Sequence, residues 1–123
     1  MATIKREVLS GSGQISSTPV GLPQVLGTSQ TEIHTIETTV ADYEEVWVWL
    51  SNITTSQVVV TLQIGHDSDA DKRVMVKVPA EETVLAIPGW TFRGHAGPSV
   101  VKGATGSANQ VNFTGYVNHI DDA

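Results

Sequence analysis

From Thr28 onward, apolar residues recur at every second position in short runs. Glu45-Val46-Trp47-Val48-Trp49-Leu50 sets Val46, Val48 and Leu50 on one side, and Trp47 and Trp49 on the other. Val58, Val60, Leu62 and Ile64 oppose Val59, Thr61 and Gln63, while Val74, Val76 and Val78 oppose Arg73, Met75 and Lys77. Near the end of the chain, Val111, Phe113, Gly115 and Val117 alternate with Asn112, Thr114, Tyr116 and Asn118. Thr31-Glu32-Ile33-His34-Thr35-Ile36 adds a short β-branched run between polar residues. Successive side chains of a strand point to opposite faces, so these runs read as half-buried strands.

Helix does not fit this pattern. Turn signals such as Ser51-Asn52, Asp67-Ser68-Asp69, Pro79, Pro88-Gly89, Gly97-Pro98 and Gly103-Ala104-Thr105-Gly106 interrupt it too often for a stripe at helical spacing. Only residues 104–109 admit one helical turn, and Gly106 works against it. About seven or eight short strands between turns predict an all-β, antiparallel β-sandwich, of which the jelly roll is one form. Trp90 and Phe92, spaced by two after Pro88-Gly89, are expected to close one end of its core.

The pattern changes near Gly27. Ser10-Gly11-Ser12-Gly13, Ser16-Ser17-Thr18-Pro19 and Gly21-Leu22-Pro23 are small and turn-prone. Residues 1–27 read either as a flexible or extended N-terminal arm, or as a first edge strand followed by a long loop. Residues 28–123 form the sandwich domain on either reading. Ile4, Val8 and Leu9 would anchor an arm on a neighbouring surface.

Composition narrows the classes. The chain has 123 residues, the size of one domain, with 40% hydrophobic and 16% charged residues, which supports a packed core. It has no cysteine, so neither a disulfide nor a thiolate nucleophile is available. The formal charge is −6, and Lys5, Arg6, Lys72, Arg73, Lys77, Arg93 and Lys102 are scattered, which argues against nucleic acid as a partner. No apolar run approaches the roughly 20 residues of a membrane helix. Met1–Ser10 lacks the apolar run of a signal peptide, so synthesis in the cytosol is expected.

Candidate chemistry is sparse. Asp67, Asp69 and Asp71 alternate as in a calcium loop, but the sixth and twelfth positions counted from Asp67 hold Lys72 and Val78, not Gly and Glu. A solvated hairpin turn explains them better. His34, His66, His95 and His119 lack zinc-motif spacing. No G-x-S-x-G elbow and no P-loop pattern occurs. Glu44-Glu45 and Glu81-Glu82 are neighbours, so in strands they face opposite ways. Asn52-Ile53-Thr54 and Asn112-Phe113-Thr114 match a glycosylation sequon by chance. The expectation is a protein that is not an enzyme and needs no metal or cofactor. Trp47 and Trp49, on the face opposite Val46 and Val48, point either to a subunit or partner interface or to a covered central strand.

From Gly27 to Ile120 the order of features resembles small β-sandwich virion proteins of tailed bacteriophages, most like capsid decoration (cement) proteins. A polar Thr/Ser-rich strand, Gly27–Thr35, precedes a hydrophobic strand ending in N-x-T, Val46–Thr54. Then come Val58-Val59-Val60-Thr61-Leu62, the run Val78-Pro79-Ala80-Glu81-Glu82-Thr83, and the closing strand Val111-Asn112-Phe113-Thr114-Gly115-Tyr116-Val117. Where the family carries Gly-Asp before its penultimate strand, this chain reads Pro88-Gly89-Trp90-Thr91. The resemblance implies a structural protein of the phage head surface, a homotrimer bound to the major capsid protein and bridging its neighbouring subunits. Ile4, Lys5, Arg6, Val8 and Leu9 would then make the capsid contact, with Trp47 and Trp49 at a subunit or partner interface. Two alternatives remain: a tail, neck or fibre component of the virion, and a carbohydrate-binding module with Tyr43, Trp47 and Trp49 as its platform.

Overall fold

The alternating runs become strands whose pairing sets the architecture. The computed structural model describes residues 3–14, 21–36, 42–66, 73–93 and 99–121. In chain order its strands are β1 (Thr3–Val8), β2 (Gly13–Gln14), β3 (Gly21–Leu22), β4 (Gln24–Val25), β5 (Thr31–Ile36), β6 (Tyr43–Asn52), β7 (Val58–His66), β8 (Arg73–Val78), β9 (Thr83–Arg93), β10 (Ser99–Ala104) and β11 (Val111–Asp121). No helix occurs among the described residues. One sheet has the order β1-β11-β6-β9, with β4 also on β11, and the second has the order β5-β10-β7-β8. β2 and β3 form a separate small hairpin.

The pairs are nested: β4 with β11, β5 with β10, β6 with β9, and β7 with β8, all antiparallel. Pairing of β11 with β6 and of β10 with β7 then rolls this long hairpin into two facing sheets. That is the jelly roll, one of the ways an antiparallel protein folds into a double sheet. The β-sandwich expected from the alternation is therefore present.

β6 alternates strictly between buried and half-buried positions along its length. Its Val46, Val48 and Leu50 meet Val60 and Leu62 of β7, Ile87 of β9, Val101 of β10 and Val111, Phe113 and Val117 of β11 in one core, all fully enclosed. Each such side chain contributes roughly 1.5–3 kcal/mol by leaving water.

The N-terminal segment belongs to this sandwich. β1 lies along Tyr116–Asp121 of β11, and β4 along Asn112 and Phe113 of the same strand. Together they make one interrupted edge strand, and the chain leaves it at Leu9 and returns near Leu26, both 0% exposed in the core. The Leu26 N–H donates to Val111 O (2.8 Å), and the Thr105 N–H donates to Gly27 O (3.0 Å). What is described of residues 1–27 thus supplies β1 and β4 to the edge of the sheet, with a turn at Ser10–Ser12 and the short β2–β3 pair between them.

Two local expectations need correction. Pro88-Gly89 is not a turn: β9 runs through it, and the register steps from Val46↔Trp90 to Trp47↔Pro88, leaving Gly89 as a bulge with φ +74°. Glycine reaches that conformation without a steric penalty, and proline is tolerated because β9 is an edge strand. Trp90 therefore sits 37% exposed and does not close the core, whereas Phe92 packs against it. Ala104 ends β10 and residues 106–109 form bends and turns, with Asn109 at φ +60°.

Candidate interaction surface

Residues paired directly across antiparallel strands lie on the same side of a sheet. On the outer side of the first sheet, Val8, Tyr116 and Trp47 form one row, and Arg6, Asn118 and Glu45 the next. Ile4, Ile120 and Tyr43 form a third row, and Thr114 with Trp49 a fourth. Ile4, Arg6 and Val8 are thereby brought onto the same face as Trp47 and Trp49.

The aromatic rings meet. The Trp47 and Trp49 centroids are 6.2 Å apart with planes inclined by 20°, and Tyr116 lies 6.1 Å from Trp47 and 5.9 Å from Trp49. The Arg6 guanidinium sits 4.2 Å above the Tyr116 ring, within range of a cation–π attraction. The Trp47 indole reaches over β9 at the bulge, where a Cβ on Gly89 would stand 2.6 Å from Trp47 Cζ2. Polar contacts fix the same array. The Trp47 Nε1–H donates to Glu45 Oε1 (2.7 Å), and Asn118 Nδ2 donates to the same oxygen (3.0 Å). Those two bonds hold the Glu45 carboxyl below its usual pKa, against a small opposing effect of burial.

Of the expected contact residues near the chain start, Ile4 and Lys5 are exposed, whereas Leu9 is buried. Ile4 is 67% exposed, and Lys5 is exposed with its ammonium 3.9 Å from Glu7 Oε1. Leu9 serves the core, so its side chain offers nothing to an outside partner. Asp67, Asp69, Asp71 and His95 lie outside the described residues.

Sequence reading missed a second cluster, on the inner side at one end of the sandwich. Glu44, 1% exposed, accepts from His34 Nε2 at Oε1 (2.9 Å), and its Oε2 lies 3.3 Å from His119 Nδ1. His119 Nε2 is 3.1 Å from Asp42 Oδ2. Burial depresses the His119 pKa, but hydrogen bonds to Glu44 and Asp42, helped by the charges of Glu44 and Glu7, outweigh it and leave it raised. Glu44 and Glu45 do face opposite ways, as neighbours in a strand must. His34 points inward because Ile33 is an extra residue opposite the step Val101/Lys102, which places Ile33, His34 and Ile36 all toward the interior. Glu44 lies between the two imidazoles, and no group of three or more His, Asp or Glu side chains among the described residues is arranged to hold a metal ion. Elsewhere, a shallow cleft of about 340 Å³ is lined by Thr28, Gln30, Thr61, Arg73 and Thr105 together with Ala104 and Gly106, without a carboxylate or imidazole.

Asn52 of the first sequon match has a structural task. Its Nδ2 donates to Ser56 O (2.8 Å) and Val78 O (2.9 Å), and its Oδ1 accepts from Thr54 N (2.9 Å) and Thr54 Oγ1 (2.7 Å). The amide is buried and fully used, which explains an N-x-T signature at the end of β6.

No protein-family model matches the chain, and no curated protein matches it. Fold and surface define a jelly-roll β-sandwich with an aromatic outer face.

Proposed function

We propose that this protein is a capsid decoration protein of a tailed bacteriophage, a homotrimer that binds the assembled head and bridges neighbouring major capsid subunits. The observation that carries this reading is the outer face on which Ile4, Arg6, Tyr116, Trp47 and Trp49 lie side by side. Aromatic residues and arginine are the types enriched at protein interfaces, where they supply large contact area at low entropic cost. Jelly rolls are a recurrent scaffold of viral capsid domains, and the order of sequence features in residues 27–120 resembles the decoration family.

The mechanism is non-covalent stapling. Each subunit contributes a modest contact, and three linked contacts hold more tightly than any one. The test is the mass of the purified protein by light scattering, alone and after mixing with undecorated heads. A trimer that saturates shells in hundreds of copies supports the reading. A few or a dozen copies per particle point to the tail or neck.

The aromatic array favours one other reading, a carbohydrate platform, with Tyr116 as the ring that meets both tryptophans. Glycan binding lost in Trp47→Ala, with no binding to heads, would replace the first reading by this one.

A further inference from the structure

The inner cluster ties the N-terminal segment to both sheets. The Ser10 N–H donates to His34 Nδ1 (3.0 Å). A backbone N–H cannot accept, so His34 presents a lone pair at Nδ1 and carries its hydrogen on Nε2, aimed at Glu44. Glu44 meets His119 on its other oxygen, and His119 meets Asp42. Both nitrogens of His119 therefore face carboxylate oxygens, an arrangement that suits the imidazolium.

The same short stretch caps the open edge of β5. The Thr35 N–H donates to Ser10 Oγ (2.7 Å), Ser10 Oγ–H donates to Glu32 Oε2 (2.8 Å), and the Gly11 N–H donates to Ile33 O (2.9 Å). Gly11 passes so close to Glu32 O that any side chain there would collide. By contrast, β1 itself is an exposed edge strand, paired on one side to β11. The N-terminal strand is thus held on one side by its ladder with β11 and at its far end by Leu9–Gly11, where the buried partner is a histidine.

We propose that Ser10, His34, Glu44, His119 and Asp42 form a proton-operated latch that fastens the N-terminal strand and its following turn to the sandwich, and that a second proton on His34 opens it. Protonation at Nδ1 would set an N–H against the Ser10 N–H, donor against donor, and the turn would lift from β5. Among the described residues, the charged and titratable groups around the latch are Glu32 beside Ser10, Glu44 and Asp42 at the start of β6, His119 on β11, and Glu7 on β1. Lys5, opposite His119 in the ladder, holds its ammonium 3.9 Å from Glu7 Oε1. β10 places apolar Val101 opposite His34. A consequence for capsid contact, in which acid would free Ile4 and Arg6, rests on the function proposed above, but the latch does not.

The test is hydrogen–deuterium exchange of the whole chain across a pH series, with β7 as internal reference. On acidification, protection of residues 3–12 relative to β7 is expected to fall at least tenfold while β7 stays protected. His34→Asn, whose amide oxygen still accepts from Ser10 N–H but takes up no proton, should lack that fall. Joint loss of protection in residues 3–12 and β7 at every pH, or the same acid loss in His34→Asn, overturns the latch. If His34→Asn does not fold, the ring-nitrogen NMR signals of the unmodified protein decide. Hydrogen on Nε2 alone in the protected state supports the latch, and hydrogen on Nδ1 there overturns it. No capsid enters this experiment, so its failure and a failure to bind heads are separate results.

Discussion

Gly89 is the residue on which the aromatic face depends. Its φ of +74° suits glycine, and the Trp47 indole occupies the place of a side chain. Gly89→Ala would impose both backbone strain and a clash, at a cost of about 1–3 kcal/mol. A lower urea midpoint together with altered tryptophan fluorescence is the expected outcome, and an unchanged midpoint would show that the ring packs elsewhere. Asn52 is the comparable position at the end of β6. Asn52→Ala would leave Ser56 O and Val78 O without their donor and Thr54 without its acceptor, in a buried setting. A loss of about 2–3 kcal/mol follows from the cost of unpaired buried groups. Chemical denaturation measures it, and a loss below about half a kcal/mol would mean that water replaces the amide.

The strands that could be read from the sequence are those whose alternation nothing interrupts. β6, β7, β8 and β11 follow the inward and outward positions of their Val, Leu and Phe residues. β9 could not be read whole, because Pro-Gly in sequence signals a turn and only the pairing with β6 shows it to be a bulge. β1 was ambiguous for another reason: an edge strand exposed on most of its positions carries little periodic signal. The surface was half legible. Trp47 and Trp49 stand out within one strand, whereas Tyr116, Asn118 and Arg6 join them only through registers that the sequence does not print. The inner cluster was invisible, since it needs a bulge at Ile33 and contacts between residues some 75 positions apart. That cluster also binds elements to one another. His119 at the end of β11 holds its proton more tightly in the fold than in the unfolded chain. A raised folded pKa gives stability that is fully present below the unfolded value, near 6.5, and lost as pH rises through the folded one. Thermal stability should therefore decline as pH rises above that unfolded value, and His119→Asn should flatten the decline. An identical decline in the variant would assign it to other groups.

At the scale of the molecule, the question is whether the outer face works within a trimer, against the capsid, or in neither. The two tryptophans are half-buried and stand outside the core, so their replacement should remove the surface while leaving the sandwich folded. Trp47→Ser combined with Trp49→Ser is expected to keep the β-rich circular dichroism of the parent and to lower its melting temperature by a few degrees. On the function proposed above, light scattering should then report a mass below that of a trimer, and occupancy on undecorated heads should collapse. Linked binding multiplies affinity by roughly 10²–10⁴, so breaking the trimer costs far more occupancy than trimming one contact. A second comparison separates the two roles of the face. Lys5→Ala with Arg6→Ala removes exposed charge near β11 without touching the tryptophans, so the trimer should persist while head binding weakens and loses part of its salt dependence. If the double tryptophan variant keeps both its trimer mass and full occupancy, the aromatic array is internal support for β6 and β11. A capsid contact, on the function proposed above, would then have to be sought elsewhere, beginning with the other sheet, where Val59, Val74 and Met75 are exposed.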